Sequence, residues 1–510
     1  MLLSEILKRL SGVVLENFAE NEIKSITNHS LDCSEETIFA VCNGFKNHGK
    51  NYIKDAINSG NKVFLCDEET AKEMDGIKII SKNVRKTMAE ISKILFNSDI
   101  KKLTIIGITG TKGKTTTAEF MASILNEKTG GCISISTLGI RINKGEKIIE
   151  YHRKIRKNTS QKSEQLKNED LYTHRGIGVN TTPDSYIIYE ALAYASSLGI
   201  RYAIIEVSSS ALKAYRVHGI PFFMCLFTNI SKDHIGPSEH LDYEEYKACK
   251  RMLFSDYGAR YAVVNADSEE WRYMSAGIEN IITISKSEKS CVKFELLSSG
   301  GGKTEFMIDG KRFVIPIEGE FNAYNAAMAA VSAGVVIGCD IEEFYDVIKR
   351  TRIEGRYDIY EYHHRLIIID FAHNEASFEA VLSYAKTHSK GRVIALFGSV
   401  GERNFKRRRE LAKAAEKYAD ILIITSDNPG YEDAMKICTD IALNLDESIE
   451  RYIVPDRHSA ILRALDISIE DDVILLLGKG HEQFQKIGGE YIPFSERGII
   501  LGLGAIPLGS

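Results

Sequence analysis

Short, continuous apolar runs rich in β-branched residues recur along this chain: LTIIGIT, YAIIEVSS, FMCLFTNIS and YAVVNAD in its middle, then LIIIDFAH, VIALFGSV, ILIITSDN and DVILLLGKG towards its end. Runs that are apolar without alternation predict strands covered on both faces, as in a parallel sheet. Stretches of helical character lie between them, such as AEFMASILNE and NAYNAAMAAVSAGVV. Strand and helix in alternation predict doubly wound α/β units, which take ligands at the carboxyl ends of their strands. Before residue 100 the strands are shorter (TIFAVCNG, KVFLCDE, GIKII) and alternate with helical pieces like NYIKDAINSG, giving a small α/β module. A β-rich patch (CVKFELL, TEFMIDG, RFVIPIEG) precedes the last helix of the middle stretch. The pattern predicts an α/β protein of three domains, residues 1–100, 101–351 and 352–510.

The run LTIIGIT leads straight into GTKGKTTT and then into the helix-forming AEFMASILNE. Strand, phosphate loop and helix in that order are the context a P-loop requires. Backbone N–H groups of Gly110, Thr111, Lys112 and Gly113, with the helix start at Thr116, would cradle phosphates. Lys114 would place a point charge at the β/γ-phosphates, and the Thr115 hydroxyl would bind magnesium. Gly107 stands six residues before Gly113, one too many for the common spacing. TGTKGKTTT is therefore a narrower and more specific pattern. A Gly/Lys/Thr-rich loop without nucleotide is the ordinary alternative, and the strand–loop–helix order weighs against it.

Composition narrows the class. At 510 residues, 44% hydrophobic and 26% charged, the chain reads as a soluble globular protein of two to four domains. A net charge of −5 argues against nucleic acid as a partner. The nine cysteines stand singly with no C-x-x-C pair, so neither a zinc site nor a disulfide framework is indicated. No apolar run reaches transmembrane length, and MLLSEILKRLSG is charged too early for a signal peptide. The expectation is a cytoplasmic nucleotide enzyme without membrane insertion. Residues 141 to 178 stand apart, densely charged and without aliphatic periodicity. They read as a solvated surface insertion whose excess of lysine and arginine can steer anionic substrates.

Further polar residues sit where predicted strands end. NTTPDS carries Thr181 and Thr182, and Glu206 closes an apolar strand. A P-loop enzyme needs an acid on an adjacent strand to hold magnesium, and Glu206 fits that role; the lesser alternative for Glu206 read alone is a solvated strand end. FTNISKDHIGPSEHLDYEEYKACKRMLF offers His234 as a metal ligand, against the commoner structural histidine, and Lys250, against an ordinary amphipathic-helix lysine. Asn322 and Asn325 in GEFNAYNAAMAA can bond a purine edge or cap a helix. The last third adds GRYD, DFAHN, FGSVGERNFKRR, SDNPGYED and GKGHEQ, each weak alone and specific in this order.

Taken together, TGTKGKTT, NTTP, EVSS, TNISKDH, FNAYNAA and GKGHE resemble the Mur ligase family of ATP-dependent peptide-bond-forming enzymes, over nearly the whole chain. The likeness is to its MurE type, the UDP-N-acetylmuramoyl-dipeptide:diamino-acid ligases. The resemblance implies a UDP-binding N-terminal domain, a central ATPase and a Rossmann-like C-terminal domain, acting as a monomer on a UDP-linked muramoyl peptide and an amino acid. ATP would activate a carboxylate as an acyl phosphate, which the incoming amine attacks, in peptidoglycan precursor synthesis. By the same match, Thr115, Glu206, His234 and Lys250 serve magnesium, Lys250 as a carbamate (N-carboxylysine). Ser30, Thr181, Thr182, Ser208 and Arg216 match positions that hold the nucleotide-sugar peptide. Asn322, Asn325, Arg356 and Asp370 match those that hold adenosine and phosphate. Arg403, Asp427, Asn428, Gly478 and Glu482 match the amino-acid pocket, Glu482 pairing the α-ammonium.

Departures from the family pattern bear on the substrate. Diaminopimelate-specific members read DNPR where this chain reads DNPG, with Gly430 in place of the arginine. A second carboxylate then lacks its bidentate partner, which favours lysine, ornithine or another amine, with Glu432 or Asp433 available for a distal ammonium. The family's Asp-Ser-Arg triplet is His29-Ser30-Leu31 here. That change leaves open a ligase of the same superfamily with another acceptor, pseudomurein-type or folylpolyglutamate-like. A nucleotide-binding scaffold without catalysis is a third reading, and intact Lys114, Glu206, His234 and Lys250 speak against it.

Overall fold

The computed structural model describes residues 1–43, 48–151, 181–231, 235–236, 240–300, 302–402 and 405–508. They divide into two compact units. One comprises Met1–Ser298, Glu305–Ile315 and Glu320–Thr351; the other comprises Ser299–Thr304, Pro316–Gly319 and Arg352–Ser510.

The first unit contains two sheets. Near the N-terminus, five strands run in the order Val13–Glu16, Ile77–Ser81, Val63–Cys66, Thr37–Ala40 and Ser25–Thr27, all parallel except the first. Val63–Cys66 and Thr37–Ala40 are buried along their whole length, which is why they read as unbroken apolar runs. The helix Val84–Ile100 packs against the helix Ser185–Ser197 of the larger, eleven-stranded sheet. There Thr104–Thr109 is central, with Tyr202–Glu206 and Phe222–Phe227 as parallel neighbours. Cys132–Ser136 extends the parallel set on one side, Tyr261–Asn265 and Asn280–Ser285 on the other. Three strands from the β-rich patch, Val292–Gly300, Lys303–Ile308 and Lys311–Ile315, join this same sheet.

At the opposite edge Gly139–Lys144 and Lys147–Glu150 form an antiparallel hairpin. This corrects the reading of a solvated insertion from residue 141. Ile140 and Ile142 turn inward and are buried, while Lys144, Glu146, Lys147 and Glu150 are exposed. A two-residue period carried by only two buried side chains is easily hidden by so many charges. The rest of that stretch, residues 152–178, lies outside the described residues.

The second unit is built on seven strands in the order Glu450–Ile453, Ile421–Ile424, Val393–Phe397, Val473–Leu477, Arg365–Asp370, Asp358–Tyr362 and Ile506–Pro507. The first five are parallel, and Asp358–Tyr362 is antiparallel to both of its neighbours. Separate apolar clusters cover its two faces, one around Phe378, Leu382, Leu411 and Ile437, the other around Ile461, Leu465 and Ile500. This is the doubly wound arrangement expected of alternating strands and helices. Arg457 and Glu496 are both fully buried within it. The Arg457 guanidinium also donates to the carbonyls of Ser426 (3.1 Å) and Leu477 (2.7 Å), tying two strand ends together. Arg457→Met is expected to destabilise the unit by about 3–5 kcal/mol, because it leaves a buried carboxylate unpaired. Urea unfolding checks this, and a second change, Glu496→Leu, should recover much of the loss. Among the described residues no single helix is long and apolar enough to cross a membrane.

Candidate active site

The phosphate loop is shaped by two glycines. Gly110 takes φ +153°, and a Cβ there would overlap the Thr228 hydroxyl at the end of the neighbouring strand. Gly113 takes φ +85° as the residue that opens the helix Lys114–Thr129, and a Cβ there would overlap the Asn325 amide. Only glycine meets both demands, the positive φ and the close approach. The loop is pinned from outside: Thr228 Oγ1 donates to Lys112 O (2.6 Å), Lys112 N to Asn229 Oδ1 (3.0 Å), and Thr111 Oγ1 meets the Tyr246 hydroxyl (3.0 Å). Thr115 and Thr116 lie buried in the first helical turn. Lys114 folds back over the loop, donating to the carbonyls of Gly110 (2.9 Å) and Thr111 (3.1 Å).

Glu206, at the end of its strand, has no exposed surface. Its carboxylate accepts from Thr115 Oγ1 (3.2 Å) and from Thr137 N (3.2 Å) and Oγ1 (3.4 Å). Two hard oxygen donors thus converge beside the phosphate loop, a donor set suited to magnesium. Thr137 was not singled out from the sequence; its only signal is its place just after the strand Cys132–Ser136. The Thr182 hydroxyl donates to Glu206 O (2.7 Å) and accepts from Ser208 N (3.0 Å), and Thr181 accepts from Thr137 Oγ1 (3.3 Å). Ser208 also caps the helix Ser209–Lys213. Arg216 donates to Thr182 O (2.9 Å) and to Asp184 Oδ1 (3.1 Å). Asp184 in turn accepts from Asn28 (2.9 Å), two residues before the buried Ser30. Asn28 and Asp184 are linking residues that the sequence reading passed over.

Lys250 is not an ordinary amphipathic-helix lysine. It is almost wholly buried, its Nζ donates to Gly110 O (2.7 Å) and lies 4.6 Å from the Tyr246 ring centroid. Asn325 is buried against Gly113 on the helix Glu320–Ile337, where Asn322 is half-buried one turn nearer the start. His234 lies outside the described residues, as does Arg403.

The remaining candidates gather in the second unit. Asp370 is buried, and its carboxylate accepts from Tyr357 N (2.8 Å) and Ala372 N (2.6 Å). Burial pushes its pKa up, against the pull of Arg356. The Arg356 guanidinium stacks 5.0 Å from the Phe371 ring centroid. Gly478 N donates to Asp370 O (3.0 Å), joining this group to the next. There Asn428 donates to Glu482 Oε2 (3.0 Å), and its own carbonyl accepts from Lys486 N (2.9 Å) and Lys479 Nζ (3.1 Å). Lys479, also passed over in the sequence, is completely buried and bonds Glu482. Burial, first, and then Asp427 push the Glu482 carboxyl pKa upward, while Lys479 opposes them.

Around Gly430 the structure changes one expectation. Glu432 is held by buried Arg408 (2.7 Å), which keeps its carboxyl pKa low, and Asp433 caps the helix Ala434–Ala442. Both carboxylates are thus committed within the fold and not reserved for a distal ammonium. Gly430 itself takes φ +66°, and a Cβ there would overlap the Glu402 carboxylate. Gly430→Arg therefore costs about 1–2 kcal/mol in left-handed backbone and displaces Glu402. A lowered thermal midpoint is expected, together with a higher ratio of diaminopimelate to lysine use than wild type in competition assays. An unchanged preference would mean that this position does not read the side chain.

Three family descriptions match the chain in order: "Mur ligase family, catalytic domain" at residues 22–97, "Mur ligase middle domain" at 108–333, and "Mur ligase, glutamate ligase domain" at 355–480. The UDP-N-acetylmuramoyl-L-alanyl-D-glutamate--2,6-diaminopimelate ligase of Aquifex aeolicus is 32% identical over 95% of this chain and 94% of its own. The ligase of the same name from Clostridium perfringens is 32% identical over 98% and 99%. A solved structure of a ligase so named superposes with a TM-score of 0.58 at 23% identity, covering 94% of each chain. Similar from end to end to such relatives, the chain belongs to the Mur ligase family.

Proposed function

We propose that this protein is an ATP-dependent amide-forming ligase that joins a diamino acid, L-lysine by our reading, to UDP-MurNAc-L-Ala-D-Glu in peptidoglycan precursor synthesis. The observation that carries the reading is the buried meeting of Thr115 and Glu206 beside Lys114, with Lys250 buried against the same loop. Full-length similarity to ligases of that name supports the choice of acceptor. Residues 1–100 bind the nucleotide-sugar end, 101–351 carry the ATP chemistry, and 352–510 hold the incoming amino acid. The enzyme works as a monomer in the cytoplasm.

Lys114 and the loop N–H groups hold the terminal phosphates, and Asn322, Asn325, Arg356 and Asp370 the rest of the nucleotide. Thr115 and Glu206 would hold one magnesium; His234 and Lys250 would hold a second, Lys250 as the carbamate formed when its neutral amine adds carbon dioxide and loses a proton. When bound, the metals offset charge on the transferring phosphoryl group. Thr181, Thr182, Ser208 and Arg216 orient the acceptor carboxylate, with Asp184 fixing the Arg216 guanidinium. Asp427, Asn428, Gly478, Glu482 and Arg403 seat the amino acid. No side-chain nucleophile is needed, because the carboxylate takes the phosphoryl group and the amine then displaces phosphate.

Phosphate release from ATP is the test, with UDP-MurNAc-L-Ala-D-Glu present and lysine, ornithine or diaminopimelate added one at a time. Release that requires both substrates supports the reading and names the amino acid. ATP binding with no release for any of them would sink it in favour of another acceptor.

A further inference from the structure

Two carboxylates, Asp427 and the partly buried Glu482, lie beside one buried ammonium in the second unit. Asp427 keeps only 5% of its surface exposed and Lys479 none. Lys479 Nζ bonds Glu482 and the Asn428 carbonyl, and lies 3.9 Å from Asp427 Oδ1. Asn428 completes the ring by donating to Glu482. Among the described residues Asp427 Oδ1 has no hydrogen-bond partner, although it is buried. Beside it the chain leaves room, since Gly478 takes φ +107° and a Cβ there would stand 3.6 Å from Asp427 Oδ2. A buried carboxylate oxygen without a donor is costly unless a ligand supplies one.

We propose that Lys479 is a positioning residue of the amine pocket. It aligns Glu482 and Asn428 so that the Glu482 carboxylate is held ready for the ammonium of the incoming amino acid. This rests on the ligase reading above and adds to it a residue. The amine site must be anionic to attract an ammonium, yet burial and a neighbouring carboxylate both favour the protonated form of Glu482. Lys479 opposes both effects. Arginine cannot substitute fully, because its planar fork does not fit a point-charge position enclosed by three acceptors.

The pH profile separates positioning from mere support. The charged groups facing Glu482 are Lys479, which favours its ionised form, and Asp427, which opposes it. Ionised Glu482 is the form that holds the amine, so kcat/KM for the amino acid falls as pH drops through its pKa. Removing the Lys479 charge raises that pKa, so the acidic limb must move to higher pH.

Steady-state kinetics of full-length protein would compare wild type with Lys479→Met and Lys479→Arg. Lys479→Met is expected to raise KM for the amino acid about tenfold or more, the worth of a charged hydrogen bond. KM for ATP should stay unchanged and the acidic limb should shift upward. Lys479→Arg should raise the same KM with the limb in its wild-type place, and it decides the matter if the Met variant does not fold. An unshifted limb in Lys479→Met, or wild-type KM for the amino acid in either variant, overturns the proposal. Failure of the ligase reading would instead appear in the wild type, as phosphate release that ignores amino acid.

Discussion

Lys114→Ala is expected to lower amino-acid-dependent phosphate release by about a thousandfold. Removing one preorganised charge or donor from the transferring group typically costs about two to three orders of magnitude. Lys114 spans two loop carbonyls, Gly110 O and Thr111 O, so its ammonium already sits where phosphates would replace those carbonyls. The variant should remain folded. Position 114 opens a helix, alanine is a good helix former, and Thr228, Asn229 and Tyr246 still pin the loop when the lysine's own two bonds are lost. Far-ultraviolet circular dichroism checks the fold. Turnover within about tenfold of wild type would contradict the proposed role, since a factor of ten is only about 1.4 kcal/mol of barrier.

Lys250→Ala should be as severe, for a different reason, and partly reversible. The side chain is buried, donates to Gly110 O, and stands over the Tyr246 ring. Its loss removes the carboxylate that N-carboxylation would provide to the second magnesium. It also leaves the Gly110 carbonyl without this donor, at about 1–3 kcal/mol. The two consequences separate experimentally. Added formate or acetate can enter the space left by the side chain and return a carboxylate to the metal, but cannot restore the lost hydrogen bond. Recovery of activity with rising acid concentration therefore supports the carbamate. Activity that stays near zero at every concentration, in protein that still melts cooperatively, would leave Lys250 a structural donor to the phosphate loop.

The phosphate loop, the strand-end acid and most of the order of strands and helices were legible because local chemistry fixes them. An unbroken apolar run reports burial on both faces, and glycines at 110 and 113 report backbone that no other residue adopts there. The edge hairpin beginning at Gly139 was missed because only Ile140 and Ile142 carry its inward period, amid lysines and glutamates. Thr137 was missed because nothing in its own neighbourhood marks it; Asp184 and Lys479 were missed inside NTTPDS and GKGHEQ because the motifs do not show which of their residues meet distant partners. Each matters through partners 69, 32 and 51 positions away: Glu206, Arg216 and Asn428.

Sequence alone determined which backbone segments become strands, where the phosphate loop falls, and which residue types crowd the strand ends. These depend on propensity, periodicity and steric limits that act over a few residues. Only the tertiary structure decided which of those side chains meet. It put Thr115 against Glu206 and buried Lys250 under Gly110. It committed Glu432 to Arg408 and enclosed Lys479 with two carboxylates. Such pairings are set by how strands line up across a sheet. Their electrostatic worth comes from desolvation, which no stretch of sequence carries by itself.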